Sequence, residues 1–184
     1  MNISKFKKWN NLIGFITFLI AFITYSLTVE PTASYWDAAE YISTSAKLQV
    51  GHPPGAPFFQ MLGAFFASFA SNPDQIAFMV NMMSVFASAF TILFLFLTIT
   101  IIGKKIVLKN NSISNSNAII ILGSSLIGSL CFTFSDSFWF NAVEAEVYAM
   151  ATMIMALLFW LGFKWEENMD KNGGGRWLVL ISFV

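Results

Sequence analysis

Uncharged apolar runs close to bilayer length constrain this chain more than any other feature. The first, Leu12–Val29, contains no Asp, Glu, Lys or Arg until its end. A helix rises about 1.5 Å per residue and a hydrocarbon core is about 30 Å thick, so roughly 20 apolar residues make a crossing. Ile76–Ile102 is a second run, longer than a crossing needs, which implies tilt or protrusion. Ala118–Phe134 and Val147–Phe163 follow, and a last run, Trp177–Val184, stops about halfway to a full span. That stop reads as the N-terminal portion of a longer protein. No alternating pattern of the barrel kind and no internal repeat is present. The expected fold class is an all-α integral membrane protein, with about five transmembrane helices of which the last is truncated.

Composition agrees. Charged residues are 11% of the chain, and Phe alone occurs 21 times, where soluble domains carry about 25% charged residues. Lys+Arg and Asp+Glu balance at ten each, so net charge points to no nucleic acid or other polyelectrolyte partner. The one cysteine, Cys131, has neither a disulfide partner nor zinc-ligand spacing; its apolar setting reads as a small core residue. Leu12–Val29 is long for the core of a cleaved signal peptide, and TVEPTAS is a poor cleavage site, so it reads as an uncleaved span.

Ala56–Ala70 is the exception among the runs. It is too short to span comfortably, and it opens behind Pro53-Pro54-Gly55. A re-entrant or interfacial helix fits it better. Asn72 and Pro73 then read as the cap and first position of the next helix. Asn110–Asn117 (NNSISNSN) and the stretch KWEENMDKNGGGR read as polar loops.

The charges are unevenly placed. With a cytoplasmic N-terminus and alternate crossings, Lys5, Lys7, Lys8, Lys104, Lys105, Lys109, Lys164, Lys171 and Arg176 fall on one side, nine of the ten basic residues. Only Lys47 falls on the other. The positive-inside tendency favours this topology, provided that Ala56–Ala70 does not cross. Two polar islands, 30–55 and 135–146, then share one extracytoplasmic compartment.

The first island, Ser34-Tyr-Trp-Asp-Ala-Ala-Glu-Tyr-Ile42 and Gly51-His-Pro-Pro-Gly-Ala-Pro57, holds Asp37, Glu40 and His52. On a helix Asp37 and Glu40 share a face. Asp37 also suits a capping box with Ser34, and Glu40 a solvated loop. His52 is the chain's only histidine; Pro-Pro-Gly gives it a rigid, non-helical turn. In the second island Asn141 reads as a helix cap, with Glu144 and Glu146 in the first turn. On one helix those two acids diverge by roughly 200°. Phe138, Trp139 and Tyr148 read as interfacial aromatics. No pair of candidate ligands among Asp37, Glu40, His52 and Glu144 has diagnostic metal spacing, so neither a divalent metal nor another cofactor is expected.

Four pieces carry a resemblance: Trp36-Asp37-Ala38-Ala39-Glu40, Gly51-His52-Pro53-Pro54-Gly55-Ala56-Pro57, Val80-Asn81, and Phe138-Trp139 to Ala145-Glu146-Val147-Tyr148. In this order the chain resembles the GT-C class of membrane glycosyltransferases over roughly residues 10–165. More closely it is similar to the protein O-mannosyltransferase-like family, first catalogued as a domain of unknown function. That family is shared by bacterial membrane proteins and an animal enzyme acting on plexin-type receptor domains. The resemblance implies transfer of a mannose-like sugar from a polyprenyl-phosphate donor to Ser or Thr hydroxyls of exported proteins. The setting it implies is a bacterial inner membrane, with the active-site loops outside. It implies Asp37 as catalytic base, with Glu40 orienting the acceptor or tuning Asp37. His52, with backbone N–H groups, would meet the lipid phosphate, and Glu144, Glu146 and Tyr148 would serve donor or acceptor binding. A transporter or flippase-like protein, or a non-catalytic subunit of a membrane assembly, are the alternatives. Transport would favour ionisable residues within the spans, and these runs carry essentially none.

Overall fold

The structure, a computed structural model, describes residues 1–108 and 113–184. It is all-α: α1 (Ile3–Thr28), α2 (Ala38–Lys47), α3 (Pro57–Ala67), α4 (Ile76–Val107), α5 (Asn115–Thr133), α6 (Asp136–Ala142), α7 (Val147–Glu166) and α8 (Arg176–Ser182), with a 3-10 turn, Pro73–Gln75, leading into α4. Among the described residues four helices, α1, α4, α5 and α7, are long and apolar enough to cross a bilayer, as the apolar runs require. The chain is an all-α integral membrane protein with several such helices.

The ends of the elements differ from expectation where polar side chains intervene. α5 starts three residues before Ala118, because the Ser114 hydroxyl accepts the Asn117 N–H at 3.1 Å and so caps it. Asn115–Asn117 are therefore helical rather than loop; Lys109 and Asn110–Ser112 lie outside the described residues. α3 occupies Pro57–Ala67 of the Ala56–Ala70 run, with Pro57 at its first position. Asn72 does precede the 3-10 turn, but its side chain makes no capping bond.

The chain divides into two compact units. One comprises residues 1–20, 90–133 and 153–184. Its core gathers Phe6, Phe96, Ile113, Ala118, Ile121 and Leu122. Gly14 lets α1 approach closely, since a Cβ there would lie 3.1 Å from the Phe96 ring. α5 buries Ser125, Ser129 and Thr133, and each hydroxyl donates to the carbonyl four residues earlier at 2.7–2.9 Å. These back-bonds satisfy polar groups that lipid cannot. Cys131 falls off this buried stripe and is exposed, which corrects its reading as a core residue. Lys104 and Lys164 pair with Glu167 at 2.7 and 3.1 Å, and Lys105 pairs with Glu166.

The other unit comprises residues 21–89 and 134–152 and contains both polar islands. Ala21 and Tyr25 of α1 are fully buried. Tyr25 meets the rings of Phe138 and Trp139 edge-on at 6.1 and 6.3 Å, and Trp139 Nε1 donates to Thr28 Oγ1 at 2.9 Å. Phe138 and Trp139 thus pack on α1, whereas Tyr148 is 62% exposed. α3 lays Phe59, Gln60 and Gly63 inward. Gly63 permits contact with α2, because a Cβ there would stand 2.8 Å from Ser45 Cβ and closer still to Ser45 Oγ. The opposite side of α3 exposes Phe58, Met61 and Phe65, which suits the expected interfacial helix.

Candidate functional site

α2 begins one residue after Asp37. Trp36, at φ +63°, turns the chain into it in the left-handed region, an uncommon conformation for a bulky side chain. Asp37 stands at the N-cap without a side-chain capping bond. Ser34 Oγ is buried with no partner among the described residues. The capping box is therefore absent, and the Asp37 carboxylate, 56% exposed, is left free of the helix end.

His52 arrives from the other direction. The Gly55 N–H donates to the His52 carbonyl at 2.8 Å, and Gly55 takes φ +79°, so His52-Pro53-Pro54-Gly55 closes as a tight turn. The turn presents the imidazole to both acids of the first island. His52 Nδ1 lies 2.9 Å from Glu40 Oε2, and the His52 backbone N–H donates to Glu40 Oε1 at 2.6 Å. His52 Nε2 is 3.9 Å from Asp37 Oδ2. One imidazole thus stands between two carboxylates. The hydrogen bond to Glu40, with the charges of Glu40, Asp37 and Glu146, raises the imidazole above its ordinary value. The same hydrogen bonds hold the Glu40 carboxyl below its own. Both shifts favour an imidazolium–carboxylate pair.

Residues that the sequence did not single out complete the support. Gln60 of α3 is buried and donates through Nε2 to Thr44 Oγ1 at 3.0 Å, while Thr44 Oγ1 donates to the Glu40 carbonyl at 2.8 Å. A Cβ on Gly51 would lie 2.8 Å from Gln60 Nε2 and 3.2 Å from Glu40 Oε1, so any larger residue there would press on both. Tyr41 packs on the His52 and Phe59 rings at 6.1 and 5.2 Å. The available signal was Gln60, a polar residue inside an apolar run.

Glu144 and Glu146 lie in the non-helical link between α6 and α7. Asn141 is inside α6 and donates to the Ser137 carbonyl, so it caps nothing. Off a helix, the two acids escape the divergence expected of them: both are buried, at 5% and 7% exposure. Burial pushes the Glu146 carboxyl up to about 7, with Glu144 and Asp37 adding to the rise and His52 opposing it. The influence of Asp37 and His52 on Glu146 ties the second island electrostatically to the first. Tyr148 projects outward from the first turn of α7.

Residues 37–184 match the family model described as the protein O-mannosyl-transferase TMEM260 N-terminal domain. The chain belongs to this family. The match begins at Asp37 itself and takes in the His52 turn and both buried glutamates. Curated relatives include a protein O-mannosyl-transferase tmem260 of Dictyostelium discoideum, 30% identical over 148 residues, and a protein O-mannosyl-transferase TMEM260 of Mus musculus, 27% identical over 143 residues. These alignments cover 80% and 78% of this chain, but only 16% and 18% of the relatives. No solved structure matches the chain.

Proposed function

We propose that this chain is the donor-side part of a membrane glycosyltransferase of GT-C type. In this reading the whole protein moves a mannose-like sugar from a polyprenyl phosphate to Ser or Thr hydroxyls of exported proteins. The N-terminus is cytoplasmic, and the two islands face outward from a bacterial inner membrane. The observation that carries the reading is the imidazole held between Asp37 and Glu40 at the mouth of the His-Pro-Pro-Gly turn. Membership of an O-mannosyl-transferase family and the apolar character of the neighbouring helix α3 support it.

The chemistry assigns each group a task. The acceptor oxygen attacks the anomeric carbon, the bond from that carbon to the phosphate oxygen breaks, and the acceptor proton passes to a carboxylate. Asp37 is the base, because its carboxylate is spent on no cap and is open to solvent. Glu40 is committed to His52 through two contacts, so its role is to hold the imidazolium. That cation and nearby backbone N–H groups offset the charge growing on the departing lipid phosphate. Glu144, Glu146 and Tyr148 are assigned to binding donor or acceptor.

The test uses the full-length protein in membranes, with labelled polyprenyl-phosphate sugars and an exported acceptor. Asp37→Asn should lower single-turnover transfer by about 10²–10⁴-fold at matched protein levels, and Asp37→Glu should retain little. Wild-type turnover by Asp37→Asn would remove Asp37 from the reaction.

A further inference from the structure

We infer that Asn81 is a positioning residue that clasps to α4 the segment leading into Asp37, whose own backbone in turn holds the segment carrying Glu144 and Glu146. The inference rests on the transferase reading above. Asn81 lies near the start of α4 and is fully buried. Its side-chain nitrogen donates to the Glu30 carbonyl at 2.7 Å and to the Thr32 carbonyl at 2.9 Å. Both amide protons are used. Its Oδ1 is buried with no partner among the described residues. A flipped amide would set that oxygen against two carbonyl oxygens, so one orientation alone serves.

The clasp extends beyond α4. The Glu30 N–H donates to the Val143 carbonyl at 2.9 Å. Glu144 follows Val143 directly, and Asp37 lies five residues beyond Thr32. Thr28, just upstream, is held by the Trp139 ring nitrogen. The stretch 28–32 is therefore fastened to α4, to α6 and to the link that bears the buried glutamates. These carbonyls lie against an apolar helix, where an unmet acceptor is costly. Asn81 supplies the donors, and neighbouring buried residues of α4, such as Val80 and Val85, fix where it stands. The Asn81 amide thereby fixes the stretch whose Glu30 N–H reaches the Val143 carbonyl, and through it bears on two acid-bearing segments far apart in sequence. A displacement near 1 Å at a reacting group costs on the order of 100-fold in rate, so the clasp acts on turnover rather than on substrate capture.

Two variants test this in full-length protein: Asn81→Leu, which removes both donors, and Asn81→Asp, which keeps the shape and replaces the donating amide. Ser84→Ala, one turn along α4, is the control. Two readouts run together. The first is kcat and KM for the lipid donor. The second is cross-linking by a short bis-maleimide between cysteines placed at Glu30 and Val143 in a background without other cysteines. Expected are a fall in kcat of about 100-fold with KM within about threefold, loss of the cross-link in both Asn81 variants, and neither change in Ser84→Ala. A lost cross-link with wild-type kcat overturns the positioning role, as does an intact cross-link. A rise in KM alone overturns it too. If wild-type protein cross-links but transfers no sugar from any polyprenyl phosphate, the transferase reading fails, and Asn81's place in that reaction fails with it.

Discussion

Glu40→Gln probes the pairing on which the site depends. The amide oxygen can still accept the His52 backbone N–H, which Glu40 Oε1 now receives at 2.6 Å. The turn should therefore persist. The amide nitrogen, however, cannot accept from His52 Nδ1, which now meets Glu40 Oε2 at 2.9 Å. The largest cause of the raised imidazole value disappears with that bond, and the second, the Glu40 charge, goes with it. The midpoint should fall, leaving only the charges of Asp37 and Glu146 to raise it, and fewer rings should be protonated at neutral pH. The sign for stability follows. With its raised value, His52 contributes fully below its unfolded value, and the contribution is lost as pH rises through the folded one. Glu40, with its lowered value, contributes above its unfolded value and loses the contribution as pH falls through the folded one. The pair is therefore strongest between the two, and the variant should lose that plateau. His52 is the only histidine in these 184 residues, so the carbon-13 resonance of its ring in the labelled chain in nanodiscs reports the midpoint without overlap. An unmoved midpoint in Glu40→Gln would refute the pairing and the role given to His52.

Gly63→Ala should destabilise the docking of α3 on α2 by about 1–3 kcal/mol, because the added carbon would stand 2.8 Å from the Cβ of fully buried Ser45; thermal unfolding of the variant against wild type measures it, and an unchanged midpoint contradicts the close approach. Glu146→Gln should flatten a pH dependence of stability. With its carboxyl raised to about 7, native protein holds a proton that unfolded protein releases, so wild-type stability should fall by on the order of 2–3 kcal/mol between about pH 4.5 and 7; equal slopes in denaturant titrations of the two proteins would count against a buried acid. Topology reporters fused at Gly174 should read cytoplasmic and those at Gln49 and Asp136 external; a cytoplasmic signal at Gln49 would separate the islands from any lipid-borne donor on the outer face.

The long apolar helices were legible because bilayer crossing imposes a length and a composition that few other constraints imitate. The His52 turn was legible for a similar reason, since Pro-Pro-Gly leaves the backbone few options. Caps were less so. Ser34 and Asn141 have the right residue types at plausible places, yet helix starts are decided by where neighbouring elements pin the chain. Asp37 precedes α2 after the left-handed Trp36, and α6 runs through Asn141 to Ala142. The same cause hid the burial of Glu144 and Glu146. A helical spacing argument sends them to nearly opposite faces, whereas the link between α6 and α7 allows both to turn inward. The role of Asn81 was invisible, because its partners are main-chain carbonyls 49 and 51 residues away. No local side-chain pattern encodes a bond to a carbonyl so distant in sequence.

Under the proposed reaction, α3 gives a physical reason why a polar cluster could be kept beside hydrocarbon. It carries no charged residue. One side turns Gln60 inward, where the amide reaches Thr44 and, through it, the Glu40 carbonyl. The other side exposes Phe58, Met61 and Phe65, at the spacings of a helical stripe. Such a helix lowers the cost of holding ionised groups near lipid, because its buried amide anchors the acid-bearing helix while its outer face remains soluble in acyl chains. Under the proposed reaction the same division suits the donor. The polyprenyl chain needs an apolar path that ends within reach of a cation, and its phosphate needs that cation at the water boundary. His52 stands five residues before α3 begins, close enough in sequence for the stripe and the imidazole to be set by one turn. Under that reading, a residue inserted into the turn would move the imidazole away from the apolar stripe, and Pro-Pro-Gly is a rigid joint that resists such slack.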